Sequence, residues 1–321
     1  MVGGRVDITM MHPLIRLLRP ADWVKNVFVL VPIVFWLPGA GRGSDASVVQ
    51  AKGVAELLAF AAFCLAASGW YCVNDALDAA EDRLHPVKRR RPVASGQVSA
   101  GGAVLLGAVA AVAALALAAA VHVGVVWAVI TYLALQAFYN IGLKRIIFVD
   151  AATIATGFCI RAVAGALAIE VPVSIWLVLC VFFLTLFLAF IKRMCDLSSS
   201  RRAGAVQWRP RAGYGDMGEL NWLLSISGGL TVLMFLMYTL SGHAQLLFGV
   251  RAFGLAMLTP LVLIVVHRFY HRALQGLSDS PLDALRTDRV VLVSVVLFGI
   301  GVWLALYVHG IDDALRRALL I

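Results

Sequence analysis

The chain has 321 residues, 61% of them hydrophobic and 14% charged, and its mean hydropathy is +0.90. That composition excludes a water-soluble globular protein and implies an integral membrane protein, because apolar runs of about 20 residues recur along its length. The formal net charge of +9 then speaks for a basic membrane face and anionic ligands, not for nucleic acid.

Met1 to Pro13 lacks an apolar core, so no cleavable signal peptide is expected. Residues 11–20 mix Leu with Arg and predict a short interfacial helix. Nine spans follow, near 22–38, 54–76, 101–121, 124–140, 147–168, 173–191, 220–241, 249–267 and 289–309. The expectation is an all-α integral membrane protein, a single polytopic domain over 1–321. The third and fifth spans are rich in Ala and Gly, which lets helices approach closely in lipid. The five cysteines lack CxxC spacing and read as packing residues rather than a disulfide framework.

The cations have a side. With the amino terminus inside, 21 of the 27 Lys and Arg fall on inner segments and five on outer ones, while Arg161 lies within a span. This is the positive-inside pattern, and it predicts a multi-pass membrane protein with its site facing the cytoplasm. The long polar connections, 82–100, 192–219 and 268–288, are all inner. His267 and His271 have helical ligand spacing but no third ligand nearby, so they read as interfacial side chains.

The second span ends in Asn74-Asp75-Ala76-Leu77-Asp78-Ala79-Ala80-Glu81-Asp82. At about 100° per residue, Asn74, Asp75, Asp78 and Asp82 share an arc of roughly 100°. Carboxylates stacked on one face repel unless a cation sits between them. Hard oxygen donors of this kind suit Mg²⁺ that also holds substrate phosphates. The adjoining Arg83-Leu84-His85-Pro86-Val87-Lys88-Arg89-Arg90-Arg91-Pro92 suits the phosphates themselves. A solvated helix end beside topology-setting cations would look similar.

Other polar groups mark the inner ends of further spans: Arg19, Asp22 and Lys25; Tyr139 and Asn140 leading to Lys144; Asp150; and Lys192, Arg193 and Asp196. Ionisable groups at membrane depth face a bundle interior or polar cavity by default. Arg161 follows Asp150 by eleven residues, about 16 Å along a helix. It either neutralises a buried carboxylate such as Asp150 or binds substrate.

Together these motifs resemble the UbiA superfamily of intramembrane transferases. Asn74 to Asp82 is similar to its first signature. Arg19-Pro20-x-x-Trp23-x-Lys25-Asn26, His85-Pro86-x-Lys88-x-x-Arg91-Pro92 and Lys192-Arg193-x-x-Asp196 resemble its decaprenyl-phosphate phosphoribosyltransferase branch. The resemblance runs over about residues 14 to 215. It implies nine helices around a central cavity open to the cytoplasmic face. It also implies Mg²⁺-dependent transfer of 5-phosphoribose from phosphoribosyl pyrophosphate to a polyprenyl phosphate, serving cell-envelope polysaccharide synthesis.

The roles it carries over place Asn74, Asp75, Asp78 and Asp82 around Mg²⁺ and pyrophosphate. Lys25, Lys88, Arg91, Lys144, Lys192 and Arg193 become phosphate contacts, and Tyr139 and Asp150 line the cavity. Asp150 or Asp196 would face the developing oxocarbenium carbon. Two positions depart from that branch: Asp22 stands where Gln is expected, and Asp196 where Glu is commoner. The alternative is the superfamily's transfer of a prenyl diphosphate chain to an aromatic acceptor. The 192–219 connection lacks the second aspartate cluster such enzymes carry, which weighs against that alternative.

Overall fold

The computed structural model describes residues 12–39, 43–84, 88–202, 213–277, 281–308 and 310. Helices account for all regular structure among the described residues. They are α1 (Pro13–Leu18), α2 (Val31–Trp36), α3 (Ala46–Leu77), α4 (Ala79–Leu84), α5 (Ala100–Ala119), α6 (Val123–Ile141), α7 (Val149–Ala168), α8 (Ile175–Arg202), α9 (Met217–Leu240), α10 (Gly242–Phe248), α11 (Arg251–Ala256), α12 (Thr259–Leu274), α13 (Pro281–Thr287) and α14 (Arg289–Tyr307). Short 3₁₀ segments intervene at Pro20–Leu30, Lys88–Arg90 and Leu143–Arg145.

Eight helices among the described residues are long and apolar enough to cross a membrane, α11 and α12 counting as one. They answer to the second through ninth predicted spans, so the chain is an all-α multi-pass membrane protein. The first predicted span, 22–38, differs: it is the 3₁₀ segment Pro20–Leu30 running directly into α2. Prolines 20 and 32 remove backbone donors there. The Ile33 amide instead donates to the Glu56 side chain of α3 at 3.2 Å, so this half-buried N–H is satisfied. The 32 residues of α3 would extend about 48 Å, more than the roughly 30 Å of bilayer hydrocarbon. At least one end of α3 therefore reaches beyond the apolar layer.

Two predicted polar connections are partly helical. In 192–219, α8 continues to Arg202 before α9 opens at Met217. In 268–288, α12 runs to Leu274 and α13 fills Pro281–Thr287. The predicted interfacial stretch contains α1, with Leu17 buried and Leu14 and Ile15 exposed. His85, Pro86, Arg209, Arg211, Arg316 and Arg317 lie outside the described residues.

The chain packs as two compact units. The first takes in Met1–Ile33, Gln50–Asn140 and Ile160–Glu170. Its core is built from small residues: Ala59, Ala62, Ala66 and Ala67 of α3 lie with Ala114 and Ala118 of α5 and Val125 and Val129 of α6. Gly69 and Gly107 set how closely α3 and α5 approach. A methyl group on Gly69 would sit 2.7 Å from the Gly107 carbonyl oxygen, and one on Gly107 would meet that of Gly69 equally. Small residues at such crossings replace the hydrophobic force that lipid does not supply.

The second unit takes in Val34–Val49, Ile141–Cys159 and Val171–Ile321. Its larger side chains, Phe187, Phe190 and Met194 of α8, interleave with Leu220 and Leu224 of α9 and with Tyr214. A further cluster joins Tyr238, Phe248, Leu255 and Leu306, with Phe35 packed against it. The five cysteines are all free thiols.

Candidate active site

In the first unit the acidic signature bends. Helix α3 ends at Leu77, Asp78 occupies a turn, and α4 resumes at Ala79. Four-residue hydrogen bonds nevertheless cross the break, from Asp78 N to Asn74 O and from Asp82 N to Asp78 O, both 2.9 Å. The helical stacking of the acids therefore persists. Asp75 and Asp82 are each 2% exposed, while Asn74 and Asp78 are half-buried.

Two buried carboxylates need cations, and the chain supplies them. Arg91 Nη1 lies 2.7 Å from Asp82 Oδ2 and 3.3 Å from Asp75 Oδ1, bridging the pair across two helical turns. Arg19 Nη2 completes an ion pair with Asp75 Oδ1 and lies over the Tyr71 ring, 4.8 Å from its centroid. Lys88 stands 3.9 Å from Asp82 with its side chain 40% exposed. An arginine of the same chain thus lies between the stacked acids. Leaving either carboxylate unpaired at this depth would be strongly unfavourable.

Arg19 is held there at a backbone cost. It joins α1 to the 3₁₀ segment with φ +50° and ψ 60°, a left-handed conformation costing a non-glycine residue about 1 kcal/mol. Proline follows it, which disfavours helical torsions further. Such strain persists where surrounding contacts impose it, here the ion pair with Asp75. The 3₁₀ segment is also fixed by Trp23 Nε1, which donates to Ser68 Oγ at 2.9 Å. Lys25 is exposed and pairs with Asp22 at 2.6 Å, so the residue departing from the family pattern is a lysine partner.

Deeper in the same unit lies Arg161, 5% exposed. Its Nε donates to Asn26 Oδ1 at 2.7 Å and its Nη2 to Tyr132 Oη at 3.0 Å. Its guanidinium also stacks on Tyr132, 4.5 Å from the ring centroid. The expected neutralisation of Asp150 falls to a different arginine, because eleven residues of helix separate the two by about 16 Å.

In the second unit Asp150, fully buried, takes that other arginine, Arg193. Arg193 Nη2 and Nε lie 2.7 and 3.0 Å from Asp150 Oδ2. Tyr214 donates to Oδ1 at 2.7 Å. The tyrosine hydroxyl also accepts from the Phe148 amide at 2.7 Å, at a residue with φ +66°. Burial, then the hydrogen bond to Asp150 and that carboxylate's charge, raise the Tyr214 phenol above its ordinary range, so it remains a donor at neutral pH. Asp196 lies 3.8 Å from Arg193 Nη1 with its side chain 35% exposed. Lys192 is exposed on α8, and Lys144, in the 3₁₀ turn Leu143–Arg145, is half-buried.

The first unit therefore brings together Asp75, Asp82, Lys88 and Arg91, with Asn74 and Asp78 alongside in sequence; Tyr139 is half-buried on α6. The second brings together Asp150, Arg193 and Asp196. Among the described residues no three His, Cys, Asp or Glu side chains stand gathered as metal ligands. By donor chemistry Asn74, Asp75, Asp78 and Asp82 still fit Mg²⁺, being hard oxygens beside phosphate-binding cations. His267 and His271 are exposed on α12 with stacked rings 6.4 Å apart. The contacts of Arg19, a motif residue, and of Tyr214 are not legible in the sequence. The αL torsion behind the first contact and the 64-residue separation behind the second leave no local signal.

The sequence model of the UbiA prenyltransferase family matches residues 30–275. A protein of Mycobacterium tuberculosis named decaprenyl-phosphate phosphoribosyltransferase is 31% identical over 279 residues, 86% of this chain and 88% of that one. A protein of the same name from Mycolicibacterium smegmatis is 39% identical over 193 residues, covering 60% of this chain and 59% of its own length. Among solved structures, a UbiA homolog from Archaeoglobus fulgidus bound to GPP and Mg²⁺ superposes with a TM-score of 0.65 at 18% identity. That match covers 92% of this chain and 100% of the other.

Proposed function

Because the chain belongs to the UbiA prenyltransferase family, we propose that it transfers 5-phosphoribose from phosphoribosyl pyrophosphate to a polyprenyl phosphate, releasing pyrophosphate. The observation that carries this reading is the Arg19–Asp75–Arg91–Asp82 cluster, its acids buried and its arginines about a quarter exposed, on a chain similar to proteins of M. tuberculosis and M. smegmatis named decaprenyl-phosphate phosphoribosyltransferase. Acids for a cation and arginines for phosphate lie in contact there.

Mg²⁺ held by Asn74, Asp75, Asp78 and Asp82 would neutralise charge on the leaving pyrophosphate. Arg91 and Lys88, with Lys25, Tyr139, Lys144, Lys192 and Arg193, are the phosphate contacts, charge-assisted where cationic. As the bond from the anomeric carbon to pyrophosphate oxygen breaks, that carbon becomes oxocarbenium-like. Asp196, partly exposed beside Arg193, is the carboxylate assigned to face it. Asp150, with both oxygens engaged, acts through Arg193 instead. The acceptor phosphate has a second pKa near 6 and attacks as an anion, so no general base is needed. In-line attack forms the new carbon–oxygen bond with inversion.

The 21-to-5 distribution of cations supports a cytoplasmic site, and the bacterial relatives support a bacterial inner membrane, where the product would feed cell-envelope polysaccharide synthesis. The second reading, prenyl transfer to an aromatic acceptor, draws on the solved homolog with bound GPP. Purified protein given Mg²⁺, labelled phosphoribosyl pyrophosphate and polyprenyl phosphate should move label into the lipid phase. Folded protein that leaves the label in water but alkylates an aromatic acceptor from a prenyl diphosphate would establish the second reading.

A further inference from the structure

The Asp150 cluster has an asymmetry that assigns a role to a residue so far without one. Arg193 spends Nε and Nη2 on a single oxygen of Asp150. Its remaining terminal nitrogen, Nη1, points toward Asp196, the more exposed acid. The other oxygen of Asp150 is held by Tyr214, which is 1% exposed. Tyr214 is in turn fixed from two sides: the Phe148 amide donates to its hydroxyl at 2.7 Å, and Phe190 packs edge-on at 6.3 Å between centroids. With the amide donating, the phenolic proton has one direction left, toward the carboxylate.

We infer that Tyr214 is a positioning residue for phosphate recognition: by holding Oδ1 of Asp150 it fixes which edge of Arg193 Asp150 takes and which edge remains for a substrate phosphate. This rests on the phosphoribosyltransferase reading, in which Arg193 is a phosphate contact. The geometry supplies the reason. A carboxylate held at one oxygen cannot swing to take Arg193 end-on through both terminal nitrogens, which would consume Nη1. Without the tyrosine hydroxyl, Oδ1 is a buried acceptor lacking that donor, and reorienting toward Nη1 is its nearest remedy. Arg193 would then stay buried and charged, with Nη1 drawn from the Asp196 side to Asp150.

Tyr214→Phe keeps the ring and removes the hydroxyl, and Arg193→Lys removes the fork. We expect Tyr214→Phe to raise KM for phosphoribosyl pyrophosphate about tenfold, with kcat and the KM for polyprenyl phosphate within about twofold, as loss of a uniform ground-state contact does. Arg193→Lys should raise the same KM, and adding Tyr214→Phe to it should change little, because both act through one fork. An unmoved donor KM in folded Tyr214→Phe overturns the inference. So does a tenfold rise that persists in the Arg193→Lys background, or a fall in kcat alone that tracks the folded fraction. If Arg193→Lys itself leaves the donor KM unmoved, the phosphate role of Arg193 fails, and the inference with it. Should Tyr214→Phe not fold, Asp150→Asn carries the same measurement, with the same donor KM expected to rise and an unmoved value overturning the inference.

Discussion

Arg91 bridges two buried acids, and a double-mutant cycle with Asp82 measures what that contact contributes. The guanidinium lies 2.7 Å from Asp82, with side chains 26% and 3% exposed. At an effective dielectric near 20, Coulomb's law gives a gross attraction of about 6 kcal/mol for that separation. Desolvation offsets part of it, and the quarter-exposed arginine places the pair at the lower end of the 3–5 kcal/mol range for a broken buried pair, about 3 kcal/mol. Lys88, at 3.9 Å and 40% exposed, should contribute less than about 1 kcal/mol.

The assay is reversible denaturant unfolding in mixed micelles, followed by the fluorescence of the eight tryptophans, for Arg91→Ala, Asp82→Asn and the double variant. Each single variant should be markedly destabilised, and the double variant should lose clearly less than their sum. Lys88→Ala should lie within about 1 kcal/mol of the parent. A coupling below about 0.5 kcal/mol would refute the reasoning, because the arginine would then be shielded by solvent rather than bonded in a dry cluster.

Three further outcomes follow from other parts of the structure. Gly69→Ala should destabilise by about 1–3 kcal/mol and lower Tm, since its methyl meets the Gly107 carbonyl at 2.7 Å. Gly53→Ala on the same helix, with nothing within 4 Å, should be neutral or better. Burial works against ionisation of Asp288, but hydrogen bonds from Arg268, Val291 and Arg272 outweigh it and hold the carboxyl below its ordinary range. Its stabilisation is therefore complete above the unfolded value near 3.9 and lost as pH falls through the folded one. The stability gap between parent and Asp288→Asn should be flat from about pH 5 to 8 and close below about pH 4, and a gap closing nearer neutrality would exclude this account. Asp75→Asn with Asp78→Asn should reduce transfer per folded protein by about 10²-fold or more while membrane insertion persists. Full activity in that variant would remove the metal assignment.

Much of this protein is determined by sequence because its strongest signals are local. The apolar runs behind α3, α5, α6, α7, α8, α9, α11–α12 and α14 are long enough to specify spans on their own, since lipid leaves the backbone little choice but helix. The acidic face is equally local: Asp75 and Asp82 are seven residues apart, and helical geometry alone brings them within reach of one cation.

Tertiary structure decided the partners. Spacing cannot say that Arg91 and Arg19 would neutralise these acids, that Asp150 would choose Arg193, or that Arg161 would settle on Asn26 and Tyr132. Each choice joins segments from 9 to 135 residues apart. The same holds for the break-up of 22–38, where prolines announce lost donors but only packing offers Glu56 to the Ile33 amide, and for Tyr214, whose hydroxyl has meaning only once α7 and α8 are assembled. Periodicity fixes which face of a helix is polar, whereas the cost of burying an unpaired charge is met by whichever group the fold brings within about 3 Å.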